Sequence, residues 1–278
     1  MQKLDRLGWA AGIAISAYGL RIGIRVDQER FPAELIDRLP FGSKILASNE
    51  GYVDQIYSVS ITTTGSNAKV RKFHIVFSDA LLIARTLDFN EAAEALESHL
   101  QRFVAEFSKR EIFVHAGVVA WKNRAILIPG RSLSGKSTLV NALIQAGATY
   151  YSDEYAVLDS EGRVRPYRGT LSLRQGDDRP PVRVRPTELY ATPKMNPLRV
   201  GAVISTRFKP NAKWKPRELS PAQGLLQLIS HTVQARSRSA VVFSRLQKLS
   251  SGTLFLQGIR GEAQDVAPHL LVNEFHDW

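Results

Sequence analysis

Residues 127–143, LIPGRSLSGKSTLVNAL, restrict what this chain can fold into more than any other stretch. Gly130, Arg131, Ser132, Leu133, Ser134, Gly135, Lys136 and Ser137 satisfy G-x4-G-K-[ST] in full, and Thr138 follows. Such a loop needs a buried strand before it and a helix after it. AILIP at 125–129 supplies the strand and STLVNALIQAG at 137–147 the helix, with Leu139/Leu143 and Val140/Ile144 paired one turn apart. Gly130 and Gly135 permit torsions that a Cβ disfavours, so successive N–H groups can turn onto phosphate oxygens. Lys136 reaches the outer phosphates. Ser137 opens the helix, where its hydroxyl can hold magnesium and the positive dipole end faces the anion. Arg131 belongs to the loop, but its side chain reads as solvent-facing. The expectation is a nucleoside triphosphate bound across residues 130–138. No N-K-x-D motif is present, which tilts the base toward adenine and the ligand toward ATP with Mg2+.

The surrounding pattern places this loop in an α/β core. Residues 1–90 read as short β-type segments, including a first strand in AISAYGLRIGIRV and a hairpin turn at TTTGSNAK. The spacing of Ala92, Leu96, Leu100, Phe103, Val104 and Phe107 predicts an amphipathic helix over 91–109, with Asn90 as its N-cap. IFVHAGVVA then reads as a buried strand, WKNR as its turn, TYYS as the strand after the loop's helix, and AVLDSEGRVRPY as a hairpin turning at SEG. Five prolines at 175–197 argue for a loop; RVGAVISTRF restores a core strand, and Pro221 after Ser220 opens a helix. This alternation indicates an α/β core with both sheet faces covered. Two regions follow: a smaller α+β region at 1–90, assigned to substrate binding, and a nucleotide-binding catalytic domain at 91–278.

Phosphoryl transfer needs groups that hold the metal and position the nucleophile. Asp153 and Glu154 follow the strand after the loop's helix, with Asp153 16 positions beyond Ser137. If that strand runs parallel to the nucleotide strand, the pair emerges beside the phosphates. His115, alone in an apolar strand, reads on its own as a core residue. Arg174, and Arg260 with Glu262, sit near expected strand ends but read first as surface ion pairs.

Residues 113–158, FVHAGVV through ILIPGRSLSGKSTLVNALIQAGATYYSDEYAVL, resemble the catalytic core of the HPr kinase family and its HPr-kinase-related relatives. That family is similar in fold to the ATP-dependent phosphoenolpyruvate carboxykinases. The resemblance implies a P-loop kinase core in which His115 matches the strand histidine, Lys136 and Ser137 the phosphate-loop pair, and Asp153 and Glu154 the acidic pair. It implies Asp153 as the base that takes the acceptor hydroxyl's proton, Glu154 at the metal, and Ser137 holding magnesium. HPr kinases proper carry two aspartates where this chain has Asp-Glu, and their segment tied to phospho-HPr dephosphorylation is missing here. The SDE form resembles related kinases of peptide-modification gene clusters, some of which phosphorylate serine on a precursor peptide. The implied activity is transfer of the γ-phosphate to a hydroxyl, with serine of a peptide or protein as acceptor.

Composition narrows the alternatives. Hydrophobic residues make up 44% and charged residues 23%, the balance of a globular chain rather than a disordered one. The absence of cysteine removes disulfides, thiolate zinc sites and cysteine nucleophiles, and fits a reducing cytoplasm. The N-terminal apolar run is interrupted by charge and reads as a strand, not a signal peptide, and nothing approaches the ~18 apolar residues of a membrane helix. Net charge is +11, with the excess in the second half, which favours anionic partners. No zinc-finger, RNP or KH signature accompanies it, so nucleic acid ranks behind nucleotide. Two further readings stay open: a P-loop ATPase or GTPase switch, and a nucleotide-dependent regulator that binds nucleic acid. A homo-oligomer is compatible with the sequence.

Overall fold

A two-residue turn folds the first β-type run back on itself. Tyr18 and Gly19 both take positive φ, 51° and 84°, the pair that a tight right-twisted hairpin requires. The run expected as one strand is therefore two, β1 (Ala11–Ala17) and β2 (Leu20–Val26). The computed structural model describes residues 8–48, 51–62, 73–130, 134–169, 171–173, 182–184 and 196–275. The chain divides into two compact units, Met1–Arg110 and Glu111–Trp278.

In the first unit, a short helix α1 (Ala33–Ile36) and strands β3 (Lys44–Ile45), β4 (Gln55–Ser60), β5 (His74–Ser78) and β6 (Leu81–Thr86) follow the hairpin. The six strands form one sheet in the order β3-β1-β2-β4-β5-β6, with β2 and β4 parallel and the other pairs antiparallel. The expected turn at TTTGSNAK lies outside the described residues except for Thr62. Helix α2 (Phe89–Phe107) buries Ala92, Leu96, Leu100 and Val104 and packs on β5 and β6. It is capped by Asp88 rather than Asn90: the Asp88 carboxylate accepts from the backbone N–H of Asn90 at 2.7 Å and of Glu91 at 3.3 Å. The helix thus belongs with the sheet before it, and the division falls after Arg110 rather than at residue 90.

The second unit opens with a hairpin, β7 (Ile112–Trp121) and β8 (Arg124–Pro129), turning at Lys122 and Asn123, both at positive φ. The glycine-containing segment after β8 leads into α3 (Lys136–Gln145), then β9 (Thr149–Ser152), β10 (Tyr155–Leu158) and β11 (Val164–Arg165). β12 (Leu171–Leu173) pairs with β13 (Val182–Val184), a strand inside the proline-rich stretch expected as loop; most of that stretch lies outside the described residues. β14 (Arg199–Phe208), β15 (Arg217–Glu218), α4 (Pro221–His231), α5 (Ser239–Ser250), β16 (Leu254–Arg260) and α6 (Ala263–His269) complete the unit. Ser220 and Gln223 form a capping box at the start of α4.

These strands build a mixed sheet in the order β11-β10-β7-β8-β14-β16-β15, with β9 also on β7. Only β8, β14 and β16 run parallel to one another as neighbours. β7 stands antiparallel between β8 on one side and β9 with β10 on the other. The fold is mixed α/β, and both faces of this sheet are covered. Leu139, Val140 and Leu143 of α3 join Ala263, Val266 and Ala267 of α6 in one core. Leu228 of α4 and Val242, Leu246 and Leu249 of α5 line the other. Among the described residues no helix is long and apolar enough to cross a membrane.

Candidate functional site

Strand register brings the loop, the histidine and the carboxylates to one level. In the β7–β8 hairpin Ala116 faces Pro129, so β8 ends halfway along β7, and the Gly130 N–H donates to the His115 carbonyl at 3.4 Å. On the far side of β7, β9 pairs with its second half, Ser152 opposite Val118. β10 pairs with its first half, Tyr155 opposite His115. Asp153 and Glu154 occupy the break between β9 and β10, level with the end of β8. They reach the loop because β9, like β8, runs antiparallel to β7, so the two strands point the same way and end at the same sheet edge with β7 between them.

The two ends of the loop lie close together. A Cβ at Gly130 would come within 2.6 Å of Ser134 Oγ, and Gly135, at φ +82°, is the left-handed residue that caps α3. Lys136, Ser137 and exposed Thr138 form the first helical turn, ahead of the first intrahelical bond from Leu139 N–H to the Gly135 carbonyl at 3.1 Å. Backbone donors that precede that bond are the groups a helix offers to an anion. Arg131, Ser132 and Leu133 lie outside the described residues.

The two carboxylates have different surroundings. Asp153 is 6% exposed, and its Oδ2 accepts a 2.7 Å hydrogen bond from Ser137 Oγ. Room for this comes from Gly117 on β7: a Cβ there would meet Val140 Cγ2 at 2.5 Å and Asp153 Oδ1 at 3.9 Å. Glu154 is exposed, and its Oε1 lies 3.9 Å from His115 Nδ1. The His115 ring leans on Tyr155, centroids 4.8 Å apart. Partial burial pushes the His115 pKa below its usual 6.5; Glu154 acts the other way and Lys136 reinforces the shift. Burial likewise lowers Lys136, while Glu154 and then Asp153 hold its charge in place. Tyr150, buried beneath the pair, is pushed well above the usual phenol value by desolvation and by Asp153.

No family model matches the chain, and no curated protein matches it.

Of the expected site residues, the structure gathers Gly130, Ser134, Gly135, Lys136, Ser137, Asp153, Glu154 and His115 around the start of α3. The Ser137 hydroxyl and the Asp153 carboxylate form a pair of hard oxygen donors. Magnesium takes such pairs, leaving its other positions to water and phosphate. Among the described residues no cluster of three or more histidine, aspartate or glutamate side chains forms an all-protein cage. Glu154, expected at the metal, sits beside His115, 3.9 Å from its Nδ1.

One residue needs correction. Arg260, read from sequence as a surface ion pair, is 2% exposed at the end of β16. Its Nη2 donates to the Gly135 carbonyl at 2.9 Å, its Nη1 to the Gly261 carbonyl at 2.9 Å, and its guanidinium lies 5.6 Å from the Phe208 ring centre. Burial disfavours its charged form, with Glu262 opposing. Gly117 was not singled out at all; a glycine inside an apolar strand is the signal that could have found it. Arg174 lies outside the described residues.

Proposed function

We propose that this protein is an ATP- and Mg2+-dependent phosphotransferase that moves the γ-phosphate to a hydroxyl, with serine of a peptide or protein as acceptor. The observation that carries this reading is the Ser137–Asp153 hydrogen bond at the mouth of the loop, with Glu154 and His115 beside it. The likeness of residues 113–158 to the HPr-kinase-related kinases points the same way.

ATP is the phosphate donor. Backbone donors of the loop and Lys136 hold its phosphates, and Gly135 gives them close access. Ser137 and Asp153 would hold magnesium, which would neutralise phosphate charge when bound. This places Asp153 on the metal side, unlike the role the family resemblance implies. Glu154, exposed and beside His115, is left to accept the acceptor hydroxyl's proton as the phosphorus–oxygen bond forms and the bond to ADP breaks. His115, kept neutral by burial, orients that carboxylate or relays the proton. Most of the rate comes from positioning and electrostatics, as phosphoryl transfer permits.

The test is label transfer from γ-labelled ATP, with magnesium, to serine-containing peptides and carrier proteins. Transfer that disappears in Glu154→Gln with nucleotide binding intact is the expected result. Steady phosphate release that is indifferent to every acceptor would replace the kinase reading with an ATPase switch.

A further inference from the structure

On the other flank of the loop lies a cleft that the chemistry above does not use. It has a volume of about 740 Å3 and runs from Gly130 and Ser134, past the ends of β14 and β16, to α4. This is the size of a cleft that holds a small ligand or a few residues of peptide, roughly 300–1,000 Å3. Arg207, Lys215 and Arg217 line it, and among the described residues no aspartate or glutamate does. All three cations are exposed.

Two of its amides have their oxygens engaged. Arg217 is fixed by Gln257, whose Oε1 accepts from Nε at 3.1 Å and Nη2 at 2.6 Å. Ser205 Oγ donates to Gln227 Oε1 at 2.7 Å, which occupies that amide's acceptor and leaves its nitrogen as the donor. Nucleobase pockets are built mainly from apolar and aromatic side chains. Among the described residues this lining holds no phenylalanine, tyrosine or tryptophan. Its charged side chains, all cationic among the described residues, suit carboxylates.

We infer that this cleft binds an acidic stretch of the acceptor, a peptide segment whose glutamates or aspartates meet Arg207, Lys215 and Arg217 while its hydroxyl crosses the loop toward Glu154. Strand order supports the geometry: the acidic pair stands on the β9–β10 side of β8 and the cleft on the β14–β16 side, so the loop lies between them. An extended chain rises about 3.3 Å per residue, so a few residues bridge the two flanks. The inference names the acceptor class and rests on the phosphotransferase reading.

The experiment uses fluorescent serine peptides of equal length, one flanked by glutamates and one by lysines, with anisotropy read at low ionic strength. The glutamate peptide should bind at least about tenfold more tightly, and Arg207→Gln/Lys215→Gln should remove about that factor. Mg-ATP affinity, by calorimetry, should stay within about twofold, and circular dichroism should be unchanged in this surface variant. No binding of the glutamate peptide, or equal binding of both peptides, overturns the inference. A parallel loss of ATP affinity also overturns it, by giving the cleft to the nucleotide. A single-stranded oligonucleotide that binds more tightly than the glutamate peptide overturns it in favour of nucleic acid. Glutamate-peptide binding without phosphate transfer upholds the cleft and sinks the kinase reading instead.

Discussion

Ser137 Oγ and Asp153 Oδ2 are joined by a 2.7 Å hydrogen bond, although 16 positions separate them in the chain. The bond ties the first turn of α3 to the break between β9 and β10, so the two groups act as one unit where magnesium is proposed to bind. Asp153→Asn keeps an oxygen for the serine to donate to and removes only the charge. Transfer should fall by roughly 10²–10³, with a higher magnesium requirement and near-normal nucleotide binding in chelator. Ser137→Ala should lower the rate too, and the double variant should be little worse than the more severe single one, because neither residue holds the metal alone. Strict additivity would show that the bond has no role in turnover.

His115 makes a prediction about pH. Its folded-state pKa lies below 6.5 because burial disfavours the imidazolium. Between the folded and unfolded values the unfolded chain binds more protons, so stability rises with pH there and is lost as pH falls below about 6.5. The side chain is 45% exposed, so the effect is modest. Chemical denaturation at stepped pH should show this slope, and His115→Gln should flatten it. If His115 handles the proton, the acid limb of kcat/KM also lies below 6.5 and vanishes in the variant. A limb above that value would mean that Glu154, rather than burial, governs the ring.

Gly117 sets how closely α3 approaches β7. A Cβ would stand 2.5 Å from Val140 Cγ2, and Val140 is wholly buried. Gly117→Ala must therefore displace Val140 and push α3 outward. The expected cost is about 1–3 kcal/mol in urea unfolding, the usual range for overpacking. Turnover should fall beyond what lost folded protein explains, since α3 carries Lys136 and Ser137. Normal activity per folded molecule would show that the helix absorbs the methyl without moving its first turn.

The strand–loop–helix unit was legible because each of its constraints is local: an apolar run, glycines at fixed spacing, and a 3.6-residue period afterwards. The break at Asp153 and Glu154 was legible for the same reason. What failed depends on partners distant in sequence. Nothing in TYYSDEY says that β7 stands between β8 and the strand pair β9 and β10; the carboxylates emerge at the expected sheet edge because β9 runs in the same direction as β8, but one strand away from it. The Tyr18–Gly19 turn was missed because tyrosine hides the positive φ that asparagine would advertise. The cap of α2 slipped by two residues because Asp88 and Asn90 are both good caps and only geometry separates them. Arg260 was misread because an arginine near a strand end is usually exposed, and its acceptor lies 125 positions away.

That acceptor, the Gly135 carbonyl, makes Arg260 the clearest test of how the loop is held. Three features converge on it: a 2.9 Å hydrogen bond to the residue that caps α3, nearly complete burial, and the Phe208 ring 5.6 Å from the guanidinium. Removing the side chain deletes a bond from a charged donor, worth about 1.5–3 kcal/mol, and empties a volume that a methionine would partly refill. Arg260→Met should therefore lower thermal stability while leaving a folded chain, and should raise KM for ATP more than it lowers kcat, because the loop loses its anchor while Asp153 and Glu154 keep theirs. Arg260→Lys separates charge from geometry. A single ammonium cannot span the Gly135 and Gly261 carbonyls as the fork does. It should thus resemble the methionine variant in KM even though the charge is retained. Full rescue by lysine would show that the loop needs the buried charge rather than the shape of the guanidinium.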